Sequence, residues 1–446
     1  VARADPQLEQ SYFYELVDRL MSRLQGAEVL TCSFRGEDSD FVRLNRNRVR
    51  QAGHVTQQAL SIDLIEGSRH AAGACDLAGD LTEDLGRLET LLRTLRAQRH
   101  HLPEDPHLHY ATEIHNSEQH HANELPDGGE AIASLIQAAE GLDLVGIWAA
   151  GTIARGFANS LGQRNWHSSA TFNLDWSCYH AGDKAVKSNY AGFQWQPQRL
   201  VAKLEQARRQ LALLARPPRS VSAGRYRAYL APSALQEILD MLAWGGFGLK
   251  SQRTAQSPLQ QMILEGKTLH PAVSLSQDNG RGFEPRFTES GFLKPERVEL
   301  IQGGVYRDCL VGARSAREYG ATVNSGGESP SSLEMAAGGL AQDEVLERLD
   351  TGIYLNNLWY CNFSDRNACR ITGMTRFACF WVEGGKIQAP LNVMRFDDSV
   401  YHLLGQALED LTRERELIFD AGSYEERSTG SYLLPGALLD SLRLTL

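Results

Sequence analysis

Apolar and polar positions alternate with two different periods, and the switches between them outline the chain. Tyr12, Leu16, Leu20 and Leu24 recur at helical spacing, and residues 29–34 then read as a strand. A second strand is expected over 59–65, ending at Gly67. Leu81, Leu85, Leu88, Leu92 and Leu95 mark another helix with a narrow apolar stripe. Together these predict an N-terminal α+β domain over residues 8–99. A middle α+β domain is expected at 130–216, opening with a short helix over 131–139. Its clearest strand, 171–179, sets Phe172, Leu174, Trp176 and Cys178 against Thr171, Asn173, Asp175 and Ser177. That period of two predicts one buried face and one wet face. Leu200, Leu204, Leu211 and Leu214 then define a helix that stops before Pro217 and Pro218, a double proline suited to a domain boundary.

Residues 224–446 read as a β-rich C-terminal domain. Gly303-Gly304 and Gly384-Gly385 separate short apolar runs and supply the positive φ angles of tight hairpins. Helices are expected at 233–244, 342–349 and 400–418. The fold class predicted is α+β, a two-part N-terminal α/β region and a β-rich C-terminal domain with interspersed helices.

Composition narrows the function classes. The 446 residues are 42% hydrophobic and 22% charged, with a formal net charge of -10, which argues against nucleic acid as a partner. The basic run Arg43, Arg46, Arg48 and Arg50 is short and reads as a solvated strand or turn. The longest apolar run, 142–154, is too short to span a membrane and carries Asp143. Residues 1–10 are acidic and lack an apolar signal core, so a cytoplasmic location is expected. The seven cysteines form no Cys-x-x-Cys pair and read as reduced thiols. The spacings of Cys361, Cys369 and Cys379 match no common zinc pattern.

Seven of the thirteen histidines fall between His100 and His121, inside a polar stretch at 100–129. Metal capture is one reading; without helical spacing or clustered cysteines, a solvated linker is the preferred one. No His is followed by Glu, and no Gly-x-Ser-x-Gly elbow is present. Residues 245–251 are glycine-rich but lack the Gly-Lys-Ser/Thr ending of a phosphate loop, and read as a helix exit.

Five segments, in order, resemble landmarks of the TldD/PmbA family: the hairpin VELIQGGVYRDCL at 298–310, AREYGATVNSGG at 316–327, GGLAQDEVLERLDTGIY at 338–354, FWVEGGKIQAP at 380–390 and STGSYLLPGALLDSLRL at 428–444. The resemblance covers nearly the whole chain. It implies a peptidase-related protein, since the family's active branch binds zinc through a His-Glu-x-x-x-His helix and a Cys near the C-terminus. The corresponding helix here is 232–248, with Leu239 and Trp244 at the histidine positions and Asp240 at the glutamate. No Cys follows Phe419. The resemblance is therefore to the metal-free PmbA/TldE branch, also labelled modulators of DNA gyrase. It implies no cofactor in this chain, zinc only in a TldD-type partner, a homodimer or such a heterodimer, and a small or unfolded peptide as substrate. Two alternatives stay open: a binding or regulatory protein without a peptidase partner, and an independent hydrolase using Asp240, the histidine cluster, or Cys309 with Asp308.

Overall fold

At Arg46 and Asn47, with φ of 51° and 53°, the chain reverses so tightly that β1 (Val29–Asn45) runs straight back as β2 (Arg48–Glu66). Two successive positive φ values make the two-residue turn whose twist matches its strands. The arginine run sits on this hairpin. The computed structural model describes residues 6–121, 124–182 and 184–445. Before the hairpin comes α1 (Pro6–Met21); after it come β3 (Arg69–Asp76), α2 (Leu81–Arg99), β4 (Ser117–His121), α3 (Gly128–Ala138), β5 (Asp143–Asn159), β6 (Arg164–Ala181), β7 (Lys184–Gly192) and α4 (Pro197–Leu214). Asp80 and Asp127 accept backbone N–H groups at the starts of α2 and α3, satisfying donors that a helix leaves free.

The strands form one seven-stranded sheet in the order β3-β2-β1-β5-β6-β4, with β7 also on β6. Because β1 pairs with β5 from Thr31 to Leu44, segments 8–99 and 130–216 share this sheet. The stretch expected as a solvated linker contributes β4 to it. Elsewhere that stretch is pinned to the C-terminal half, through Ala111 N–H to the Ser290 carbonyl at 2.8 Å and Arg314 to Asp105 at 2.6 Å.

One face of the sheet is apolar. Phe34, Trp166 and Ala154 pack under α1 and α2; Trp148, Phe172, Leu174 and Trp176 pack under α3 and α4. The opposite face carries Arg35, Glu37, Ser39, His167, Ser169, Thr171 and Asn173, as the register dictates. Alternation along β6 predicted a wet face of Thr171, Asn173, Asp175 and Ser177. Asp175 and Ser177 are partly exposed, but Thr171 and Asn173 are buried, and so are His167 and Ser169 on the same face. Segments 280–294 and 420–430 of the C-terminal half cover them and supply hydrogen-bond partners to Thr171 and Asn173. The His167 ring nitrogens and the Ser169 hydroxyl, by contrast, make no hydrogen bond of normal geometry among the described residues. Gln163 donates to the Gly291 carbonyl at 2.7 Å and Asn173 to the Asp420 carbonyl at 3.2 Å. Arg427 reaches Thr171 Oγ1 at 2.6 Å and the Gly151 carbonyl at 2.9 Å.

The C-terminal half contains β8 (Gly224–Leu230), α5 (Pro232–Ala243), β9 (Leu275–Asp278), β10 (Arg297–Gln302), β11 (Val305–Tyr306), β12 (Ser332–Met335), β13 (Gly352–Asp365), β14 (Arg370–Glu383), β15 (Lys386–Pro390), β16 (Arg395–Ser399), β17 (Leu408–Phe419) and β18 (Ser431–Leu444). They form an eleven-stranded sheet in which β8 pairs with both β13 and β18, closing a ring through β16 and β14. Both glycine hairpins are present, with Gln302 opposite Val305 and Glu383 opposite Lys386. The helix expected at 400–418 is not: one helical turn at His402–Gln406 leads into β17. Leucines 403, 404, 408 and 411 mimic helical spacing, but a shift in register between Leu411 and Arg415 masks the strand's alternation, and pairing with β18 decides the conformation. Among the described residues, no helix is long and apolar enough to cross a membrane.

Candidate functional site

α5 starts at Pro232, whose fixed φ suits the first helical position. Ala234, Leu235, Ile238, Leu239, Met241 and Leu242 form a buried stripe, and the helix packs on β13 and β18. Ser233, Gln236, Glu237 and Asp240 remain on the partly open side. Leu239 is fully buried, about 100° around the helix from Asp240. Trp244 lies at the helix exit, 61% exposed, stacked on Phe363 at 6.2 Å. The Arg366 guanidinium covers both rings and donates to the Trp244 carbonyl at 2.7 Å. Gly245, at φ 77°, turns the chain away, as a glycine-rich exit requires. Of the three expected positions, Leu239 is core, Asp240 is on the partly open side and Trp244 is a surface ring at the helix exit.

Glu237 joins Asp240 instead, three residues earlier and one turn away. Burial and the neighbouring Asp240 charge push the Glu237 carboxyl up to about 7, with Lys187 of β7 opposing. Asp240 is also raised, by burial first, while a hydrogen bond with Tyr432 of β18 lowers it and Asp420 raises it. Lys187 itself sits 3.5 Å from Asp175, and its carbonyl accepts from Asn356 at 3.1 Å, tying β7 to β13. A carboxyl that titrates near neutrality can give or take a proton at working pH. The nearby thiol of Cys361 cannot serve as its nucleophile: burial and the two carboxylates push it up to about 12, leaving it protonated.

A metal of the expected kind does not fit these residues. Leu239 has no donor atom, and the Trp244 ring nitrogen only donates. Among the described residues, no group of three or more His, Cys, Asp and Glu side chains is arranged to hold an ion. The histidines of 100–121 disperse: His120 meets Ser168 at 2.8 Å, His115 meets Glu113, and His109 packs on Phe292. Asp308 accepts the Cys309 backbone N–H at 2.7 Å, and burial raises the Cys309 thiol, so that pair is no activated nucleophile. Glu237 had a local signal, a second acid on the polar face of an otherwise apolar helix. Lys187, Cys361 and Tyr432 arrive from distant strands and carried none.

A family model described as the PmbA/TldA metallopeptidase C-terminal domain matches residues 223–446. No curated protein matches the sequence. Among solved structures, TldE from Thermococcus kodakarensis is 13% identical with a TM-score of 0.77, over 98% of this chain and 100% of that one. A proposed modulator of a DNA gyrase from Thermotoga maritima is 14% identical with a TM-score of 0.75, over 97% and 100%. A proposed modulator of DNA gyrase from Bacteroides thetaiotaomicron is 15% identical with a TM-score of 0.71, over 98% of each. At these identities the likeness is one of fold. With the model spanning half the chain, the conclusion is that this protein belongs to the PmbA/TldD family.

Proposed function

We propose that this chain is a metal-free, non-catalytic subunit or homologue of a TldD/TldE-type peptidase, handling small or unfolded peptides in the cytoplasm. One observation carries the reading: on the helix that by resemblance corresponds to the zinc helix, Leu239 is core, Trp244 is a surface ring, and nitrogen and sulfur ligands are missing. Glu237 and Asp240 leave that helix with hydrogen-bonding capacity for a peptide backbone or a basic side chain, without a nucleophile to attack it. Cleavage then falls to a TldD-type partner. The outer edge of β2 supports an association through sheets. Residues 48–57 are exposed, and β3 covers β2 only from Ala59 onward. An uncovered edge of that length offers backbone donors and acceptors to an added strand.

The test is enzymatic and analytical together. The purified chain is expected to hold no stoichiometric zinc and to leave a denatured peptide intact, while a mixture with a TldD-type subunit cleaves it. One tightly held zinc per chain with cleavage by the chain alone would overturn the proposal.

A further inference from the structure

A cavity of about 380 Å3 lies where α4 and β7 meet the C-terminal sheet, and its lining includes the start of α5. That size falls within the roughly 300–1,000 Å3 typical of small-molecule sites. α5 is twelve residues long and has no side-chain cap at its N-terminus. The Ser233 N–H and hydroxyl, both without hydrogen bonds among the described residues, therefore present the helix's partial positive charge to the cavity.

Two further side chains point to a ligand independently of the helix. Gln210 of α4 and Tyr354 of β13 are each 8% exposed and line the same cavity, and neither makes a side-chain hydrogen bond among the described residues. Buried amides and phenols are normally paired, so two such groups facing one space mark polar partners that the chain itself does not supply. Charge then selects the ligand's sign. Of the lining cations, Lys187 has Asp175, Lys203 has Glu416 and Arg415 has Glu334. Arg199 has no such counter-ion among the described residues. Of the lining acids, Glu416 is neutralised by Lys203 and Glu414 accepts the Gln342 backbone N–H at 2.9 Å. Glu414 keeps its charge, yet the lining cations Lys187, Arg199, Lys203 and Arg415 outnumber the lining acids Glu414 and Glu416. Of the uncommitted groups, the Ser233 N–H and the Arg199 guanidinium only donate, while the hydroxyls and carboxamides donate or accept.

We infer that this cavity binds a small organic anion, its negative group taken by Ser233 and Arg199 and its body by Gln210 and Tyr354. The cavity adjoins the Glu237–Asp240 face through Ser233 and Lys187 but does not depend on a peptidase role. Isothermal titration of the whole protein with glutarate, 3-phenylpropionate and inorganic phosphate tests it, with 3-phenylpropionamide and matched sodium chloride as controls. Saturable one-to-one binding of at least one acid is expected, tighter than about 1 mM, with no binding of the neutral amide. Arg199→Ala, on the surface, and the near-isosteric Tyr354→Phe and Gln210→Met should each weaken it about tenfold, the loss expected for one hydrogen bond to a charged or buried partner. The inference is overturned if none of the three acids binds saturably, if the amide binds as well as the acid, or if binding survives all three substitutions.

Discussion

Glu237 holds its proton because the fold makes ionisation costly: the carboxyl is partly buried and Asp240 lies one turn away. Its folded value of about 7 exceeds the ordinary 4.5, so its contribution to stability is present below about pH 4.5 and is lost as pH rises through 7. Glu237→Gln keeps the shape and removes the ionisation. The variant should be more stable than the parent by about 1–2 kcal/mol at pH 8, allowing for its partial solvent access, and equal to it at pH 4, by urea midpoints. Carboxyl NMR of an Asp240→Asn variant should show Glu237 titrating below 7 yet still above 4.5, since burial, the larger cause, persists. Arg427 shows the opposite economy. It is 3% exposed, lowered by burial to about 10 and so still charged at neutral pH, with hydrogen bonds to Ser39, Thr171 and Gly151. Arg427→Met would remove the hydrogen bonds to Ser39, Thr171 and Gly151 and the coulombic support of Glu37, itself 3% exposed. Glu37 would keep only the Arg427 backbone N–H and the Gln57 amide. A loss of about 3–5 kcal/mol in chemical denaturation is expected.

Between residues and the whole, elements differ in how openly the sequence declares them. Hairpins with Gly-Gly turns were legible because the turn's backbone demand is local. Gly304 has φ 76°, and a Cβ there would stand 2.3 Å from the Leu269 carbonyl oxygen. Gly304→Ala should therefore cost about 1–3 kcal/mol, measurable by thermal unfolding, because neither strain nor contact can relax without moving the 268–273 segment. α2, α4 and α5 were legible for the same reason: their apolar stripes need no distant partner to be recognised. β17 was not, because its conformation is set by pairing with β18 from Leu408 to Phe419 across a register shift. The site divides likewise. α5 could be read from one segment, and the assignment of Leu239, Asp240 and Trp244 rests on a resemblance alone, whereas the Lys187, Cys361 and Tyr432 that surround its acids meet it only after two sheets have folded.

At the scale of the molecule, the polar face of the N-terminal sheet is the seam between the halves, and it behaves like a titratable joint. His167 of β6 lies in it, 1% exposed, beside His121 of β4 at 5.6 Å between ring centroids. Arg155 of β5 and Lys294 of the covering segment also act on it, Arg155 paired with Glu426 at 2.8 Å and Lys294 offset by Glu284. Burial, then His121, Arg155 and Lys294, push its imidazole down to about 3, against which the Phe283 backbone helps little. The unfolded ring takes a proton near 6.5, so stability is fully present above that pH and is lost as pH falls toward 3. Each unit of that window is worth about 1.4 kcal/mol, so by pH 4 the loss approaches about 3 kcal/mol. The first structure to yield should be the seam itself. Segments 280–294 and 420–430 cover the imidazole, and moving them readmits water at less cost than unfolding a sheet. Hydrogen exchange at pH 4.5 should therefore quicken in those two segments before it quickens in β1, β5 and β6. In His167→Gln, which keeps a polar side chain of similar reach but cannot charge, both the acid loss and the early exchange should flatten. If the variant lost stability between pH 6.5 and 4 as steeply as the parent, the acid sensitivity would lie elsewhere and the seam would be an inert polar contact.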